Sequence, residues 1–158
     1  MTIKVTIWNE GRHEQTDEIV RRLYPDRMDG AIASGIENPD FEIRRVTMDD
    51  PEEGLPDSLL EDTDVLLWWG HVAHEDVSDA LIDRVQQRVL KGMGLLILHS
   101  GHHSKLFRRL MGTNANLSWR ELPEGDLERV WVINPSHPIA EGLPPYFEVE
   151  ASEMDGES

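Results

Sequence analysis

Asp64-Val65-Leu66-Leu67-Trp68-Trp69 restricts the fold most, because after its first residue it is apolar without alternation. A strand with one wet face alternates. A strand with no polar position must be covered on both faces, as in a parallel sheet. Leu95-Leu96-Ile97-Leu98 has the same character. Between the two, Val77, Leu81, Ile82, Val85 and Val89 recur at helical spacing. This predicts a helix capped by Asp76 and closed at Lys91-Gly92, the crossover that parallel neighbours require.

The flanking sequence continues the pattern. Ile3 to Trp8 is β-branched and alternating, a first strand. Thr16 can cap a helix carrying Ile19, Val20 and Leu23, and a short helix follows from Asp29 through Ile36. Phe41 to Met48 is a second strand, and Asp49 to Asp57 an exposed connection. After the fourth strand a helix capped by Ser100 begins at His102 and stops at Gly112; Val130 to Ile133 is a fifth strand. The expected fold class is α/β: a doubly wound, mainly parallel five-stranded sheet with helices on both faces. In the commonest order the first strand lies between the second and third, with a ligand-binding switch point beside it.

Charge and composition exclude several functions. The chain carries 31 acidic and 15 basic residues, a net charge of -16, and its only lysines are Lys4, Lys91 and Lys105. Nucleic acid and anionic membranes both need cationic contacts, so neither is an expected partner. The acids are spread rather than blocked, which favours a solvated surface suited to a salt-rich, halophilic cytoplasm over an acidic docking face. The absence of cysteine excludes disulfides, thiolate metal sites and a cysteine nucleophile. No apolar run has the length of a membrane helix and no secretory signal is visible, so a cytoplasmic location is expected.

Six of the seven histidines follow strands: His13 the first, His71 and His74 the third, and His99, His102 and His103 the fourth. In a doubly wound sheet these strand ends adjoin, so the rings should converge with Asn9, Glu10 and Glu14 beside them. Three readings stand. His71 and His74, joined by His99 with His102 or His103, could ligate a divalent metal such as zinc, although the spacing matches no specific zinc motif. His102 or His103, at a helix N-terminus, would be held neutral for acid-base work, oriented by Glu10 or Glu14. Leu98-His99-Ser100-Gly101-His102 has the strand-turn-helix form of a nucleophile elbow, with Ser100 as nucleophile, but lacks Gly-x-Ser-x-Gly. Of Trp68 and Trp69, one belongs to the core; the other is read as core as well or, as the alternative, reaches the crevice, where it can pack on a sugar ring. His137, before proline in a turn, is structural.

Ile7-Trp8-Asn9-Glu10 with Arg12-His13-Glu14, Trp68-Trp69-Gly70-His71-Val72-Ala73-His74, Leu98-His99-Ser100-Gly101-His102-His103-Ser104-Lys105, and His137-Pro138-Ile139-Ala140-Glu141-Gly142-Leu143 together resemble the ThuA family, associated with trehalose utilisation. The resemblance covers nearly the whole chain. It implies a flavodoxin-like sheet of the class I glutamine amidotransferase type, but not glutaminase activity, since His99 stands where those enzymes carry cysteine. The implied function is carbohydrate catabolism, acting on a disaccharide or keto-sugar derivative through a histidine-rich site.

In this reading His99, His102, His103 and Glu10 are catalytic. Asn9, His13, Trp69, Ser100 and Lys105 bind a small carbohydrate, and His71, His74 and His103 are the metal set. Alternatives are a non-catalytic carbohydrate-binding or regulatory module, and an amidotransferase-like hydrolase using Ser100. Family members continue past Glu153-Met154. The resemblance therefore implies a C-terminally shortened domain over residues 1–147, an acidic tail over 148–158, and a homo-oligomer or partner covering the shortened edge.

Overall fold

The computed structural model describes residues 2–121, 123, 126–150 and 153–157. It contains two compact units, residues 1–115 and 116–158.

The first unit is built on four parallel strands, β1 (Ile3–Asn9), β2 (Phe41–Thr47), β3 (Val65–Trp69) and β4 (Gly94–Leu98), in the order β2-β1-β3-β4. Side-chain alternation along these strands creates two apolar layers. Val5, Ile7 and Leu67 point to one face and meet Ile32, Ala33 and Ile36 of helix α3 (Arg27–Gly35) and the residue after it. Trp8, Leu66 and Trp68 point to the other face. There they meet Leu60 of α4 (Asp57–Glu61), Leu81, Ile82 and Val85 of α5 (Asp79–Leu90), and Leu106 of α6 (Lys105–Met111). Each such side chain, taken fully out of water, contributes about 1.5–3 kcal/mol. Trp8 and Trp68 are register partners whose rings stack at 3.8 Å, so Trp68 is the core tryptophan.

Two short helices, α1 (His13–Thr16) and α2 (Glu18–Leu23), occupy the connection after β1. Caps fall one or two residues from their expected places. Asp17, not Thr16, accepts the first amides of α2. Ser78, not Asp76, caps α5. The segment after β4 departs furthest. Residues His99–His103 form a 3-10 turn, and α6 begins only at Lys105, where Ser104 accepts from the Phe107 amide. His102 and His103 therefore do not sit at an α-helix N-terminus, and Ser100 caps nothing. The 49–57 connection is not wholly exposed either: Leu55 is fully buried and the indole of Trp8 donates to the Glu53 carbonyl.

Among the described residues this sheet has four strands, without the expected fifth. Of Val130 to Ile133, Val130 and Trp131 lie in the second unit in β6 (Leu127–Trp131), antiparallel to β7 (Tyr146–Glu150). In the same unit, β5 (Leu117–Glu121) runs antiparallel to β8 (Glu153–Glu157). Val130 to Ile133 carried no signal of direction, and the nearby turn at Gly142-Leu143-Pro144-Pro145 returns the chain for antiparallel pairing. Glu148–Glu150 and Glu153–Glu157 are strand residues, and the compact units meet between residues 115 and 116.

Candidate functional site at the strand ends

Register alone assembles the site. Asn9, Trp69 and Leu98 are partners across β1, β3 and β4, and Thr47 joins the same row from β2. The next residues, Glu10, Gly70 and His99, therefore leave the sheet together. The Glu10 amide donates to the Trp69 carbonyl, extending this alignment one step.

Below the site lies a layer of buried polar groups. Asn9 is wholly buried; its Nδ2 donates to Glu14 Oε1 at 2.7 Å and Asp29 Oδ1 at 2.9 Å, and its Oδ1 accepts the Gly11 amide. Asp29, also wholly buried, accepts from Arg27 and Arg45 as well. Burial pushes its pKa up, but hydrogen bonds from Arg27, Asn9 and Arg45 outweigh that, and it stays below the usual carboxylate value. Glu10 is buried too, and its two oxygens accept the amides of Val72 and Ala73 at 2.8 and 2.9 Å. It holds the loop after β3 in place.

Above this layer sit the rings. His13 stacks on His71 at 4.2 Å, and Trp69, His71 and His99 lie nearly parallel, with centroids 6.0–6.4 Å apart. His102 and His103 are 3.8 Å apart, and His74 is 6.1 Å from His103. Ser100 Oγ donates to the Gly70 carbonyl at 3.0 Å, so the 2.7 Å contact with His71 Nδ1 is donated by the ring. Neutral His71 then carries its lone pair on Nε2. His102 Nδ1 similarly donates to the Ala115 carbonyl. Burial lowers the pKa of His74 despite the opposing charge of Glu10. Burial, then His102 and Arg108, lower that of His103. Both rings are held neutral near pH 7. Two polar atoms in the cluster, Trp69 Nε1 and His74 Nε2, are buried with no hydrogen-bond partner among the described residues.

His99 has a positive φ of 44°, a left-handed conformation costly for a residue with a Cβ. Two residues on, a Cβ at Gly101 would lie 2.9 Å from Ile97 Cγ2, so only glycine fits without a shift. Strained residue and close-packed glycine make a sharp elbow in which His99 takes the apex and Ser100 turns aside.

The predicted residues thus divide. His13, Trp69, His71, His74, His99, His102 and His103 are gathered at the strand ends, with Ser100 among them. Asn9 has no polar atom left for a substrate, and Glu10 is committed to backbone amides, so both shape the site from beneath. Lys105 is drawn away, its Nζ donating to the Val77 carbonyl beside Asp79. His137 belongs to the second unit, where its Nδ1 accepts the Ile139 amide. The metal trio is split: His71 lies in the parallel stack, His74 and His103 in the tilted group. Among the described residues no three His, Asp or Glu side chains are placed to hold a metal ion. Asp29, Arg27 and Arg45 were not singled out in the sequence, because an isolated Asp or Arg in a polar stretch reads as surface.

Comparison with known proteins follows this geometry. A family model described as ThuA, trehalose utilisation, matches residues 4–156. No curated protein matches. Among solved structures, a protein described as ThuA-like from Bacteroides uniformis is similar at a TM-score of 0.66 and 18% identity. The match covers 97% of this chain and 60% of that one, so this chain spans well under two thirds of its length. Among the described residues no helix is long and apolar enough to cross a membrane.

Proposed function

Since this chain belongs to the ThuA family, we propose that it acts in trehalose utilisation by binding a disaccharide or keto-sugar derivative against the histidines. The observation that carries this reading is the pair of unpartnered buried atoms, Trp69 Nε1 and His74 Nε2. Buried polar groups are nearly always satisfied, so two left over among the strand-end rings favour a partner that arrives with a ligand. An indole N–H needs an acceptor and a neutral imidazole nitrogen needs a donor or acceptor; a hydroxyl supplies either. The flat faces of Trp69 and His99 suit the C–H face of a sugar ring.

The acid-base step falls to the neutral rings. His103, kept uncharged chiefly by burial, accepts a proton from a sugar hydroxyl. The serine-hydrolase alternative is weaker, because the Ser100 proton points to a carbonyl and away from its histidine. No step is assigned to a metal.

The test is calorimetric titration of the full chain with trehalose, alongside product analysis and a His71→Ala/His103→Ala double variant. Binding and turnover that both fail in the double variant support the reading. Binding without turnover makes the chain a carbohydrate-binding module. Covalent labelling of Ser100 by a phosphonate would establish the hydrolase instead. Absence of binding would remove the sugar reading.

A further inference from the structure

The two edges of the parallel sheet are built differently. β2 carries Glu42, Arg44 and Arg45, and its arginines are tied to charged neighbours, Arg44 to Asp62 and Arg45 to Asp26 and Asp29. Charged side chains along an edge strand keep other chains from pairing with it. β4 reads Gly-Leu-Leu-Ile-Leu, carries no charge, and among the described residues pairs with β3 alone. It is an edge without that protection.

The backbone of β4 is set up to pair again. The Gly94 amide donates to the Asp64 carbonyl on the β3 side. Backbone groups alternate sides along a strand, so the N–H and C=O of Leu95 and Ile97 point away from β3. The side chains add to this. Leu96 is the register partner of Leu67 and lies on the same face of the sheet. Helix α3 covers that face over β1 and β2, and Leu96 is left 50% exposed.

Charge selects the occupant. The longest stretch without Asp or Glu runs from Arg84 to Arg120, so all 31 acidic residues lie outside it. Both β4 and α6 fall within it. Arg84, Lys105, Arg108 and Arg109 of this stretch are matched by Asp57, Asp79, Glu75 and Asp83 from outside it. An anionic partner would find those charges taken. Two copies of a chain with a net charge of -16 repel wherever acids face acids, and β4 has none to offer. Antiparallel pairing of one strand with its own copy about a two-fold axis is self-complementary.

We propose that the β4 edge docks a second copy of this chain, strand against strand, antiparallel about a two-fold axis at Leu96. In that register Leu95 faces the partner subunit's Ile97, and their outward N–H and C=O groups satisfy each other. Leu96 meets its own copy in the close, non-hydrogen-bonded position, with Cα atoms about 4.5 Å apart. The pairing is independent of any chemistry at the histidines.

The absence of cysteine makes the test direct. Leu96→Cys puts a single thiol in each chain, and a Cα separation of about 4.5 Å is within reach of a disulfide. Mild oxidation of the full chain in concentrated KCl should give a cross-linked dimer on a non-reducing gel. Leu90→Cys, at a more exposed side chain beyond the strand, is the control. The same axis holds the two copies of residue 90 far apart, so this variant should not cross-link. Sedimentation equilibrium of the parent chain should show a dimer that strengthens with salt, because salt screens repulsion between the acidic surfaces. Leu96→Lys sets two ammonium groups opposite each other and should raise the dimer dissociation constant about ten-fold or more. At dilutions where both are monomeric, it should melt with the parent, since this side chain already reaches water.

A parent chain that stays monomeric at every concentration and salt would overturn the proposal. So would a dimer indifferent to Leu96→Lys, a dimer that weakens as salt rises, or cross-linking of Leu90→Cys as readily as of Leu96→Cys.

Discussion

Asn9, Glu10 and Asp29 lie beneath the strand ends, and the histidine rings lie above them. Each polar atom of Asn9, both oxygens of Glu10 and both oxygens of Asp29 have a hydrogen-bond partner. The ring layer instead holds two buried atoms without partners among the described residues, and a strained residue, His99. One layer holds the backbone in place and the other is held in place by it. Glu14 belongs to both, with one oxygen in the lower network and one unpaired among the described residues. Position at a strand end is thus a poor guide to role by itself. The hydrogen-bond account separates groups that build a site from groups that wait for a ligand.

The comparison breaks most visibly at Asp29. Asp29→Ala removes the shared acceptor of Arg27, Arg45 and Asn9. Since the two arginines reach partly to solvent, the expected loss is about 3 kcal/mol, toward the lower end for a severed buried pair. Urea unfolding measures it, and a loss under about 1 kcal/mol would mean that the network is incidental.

Glu10→Gln is next. The amide group must point a donor at either the Val72 or the Ala73 amide, costing about 2 kcal/mol. It should also free the loop over residues 70–74, read as faster amide exchange there with no change in β2. Unaltered exchange at Val72 and Ala73 would show that Glu10 does not anchor the loop.

The pH response sharpens the contrast. His74 and His103 titrate below the ordinary histidine value when folded, so the unfolded chain binds more protons in the window beneath about pH 6.5. Stability from these rings is therefore complete above that value and is lost as pH falls through it toward their folded values. The urea midpoint should drop between about pH 7 and 5.5, and less so in a His74→Ala/His103→Ala chain. Asp29 and Asp49, both lowered, add their own loss in a separate and more acidic window, below the usual carboxylate value.

The smallest effect has the opposite sign. His99→Gly relieves a left-handed residue, but the unfolded glycine is freer, so the net gain is about 0.5 kcal/mol. Sugar binding should fall although stability does not. A destabilised His99→Gly chain would mean that the ring is packing and not site.

The apolar segments and their spacing determined the parallel core, its strand order and the gathering of six histidines at one end. Those properties follow from burial on both faces and from the direct pairing of β1 with β3 and of β3 with β4. The sequence also carried the family resemblance in its four histidine-bearing motifs. It did not reveal that Glu10 serves the backbone, that Asn9 is spent internally, or that Lys105 faces Val77. A side chain's role depends on which partners reach it, and Val72, Asp29 and Val77 come from elsewhere in the chain. The 3-10 turn over His99–His103 was hidden for a related reason. Local capping preferences favour a helix from Ser100, but the close approach of Gly101 to Ile97 and Trp68 bends the chain first. The antiparallel partner of β6 was equally invisible, because a short apolar run records that a strand forms and not which neighbour completes its hydrogen bonds.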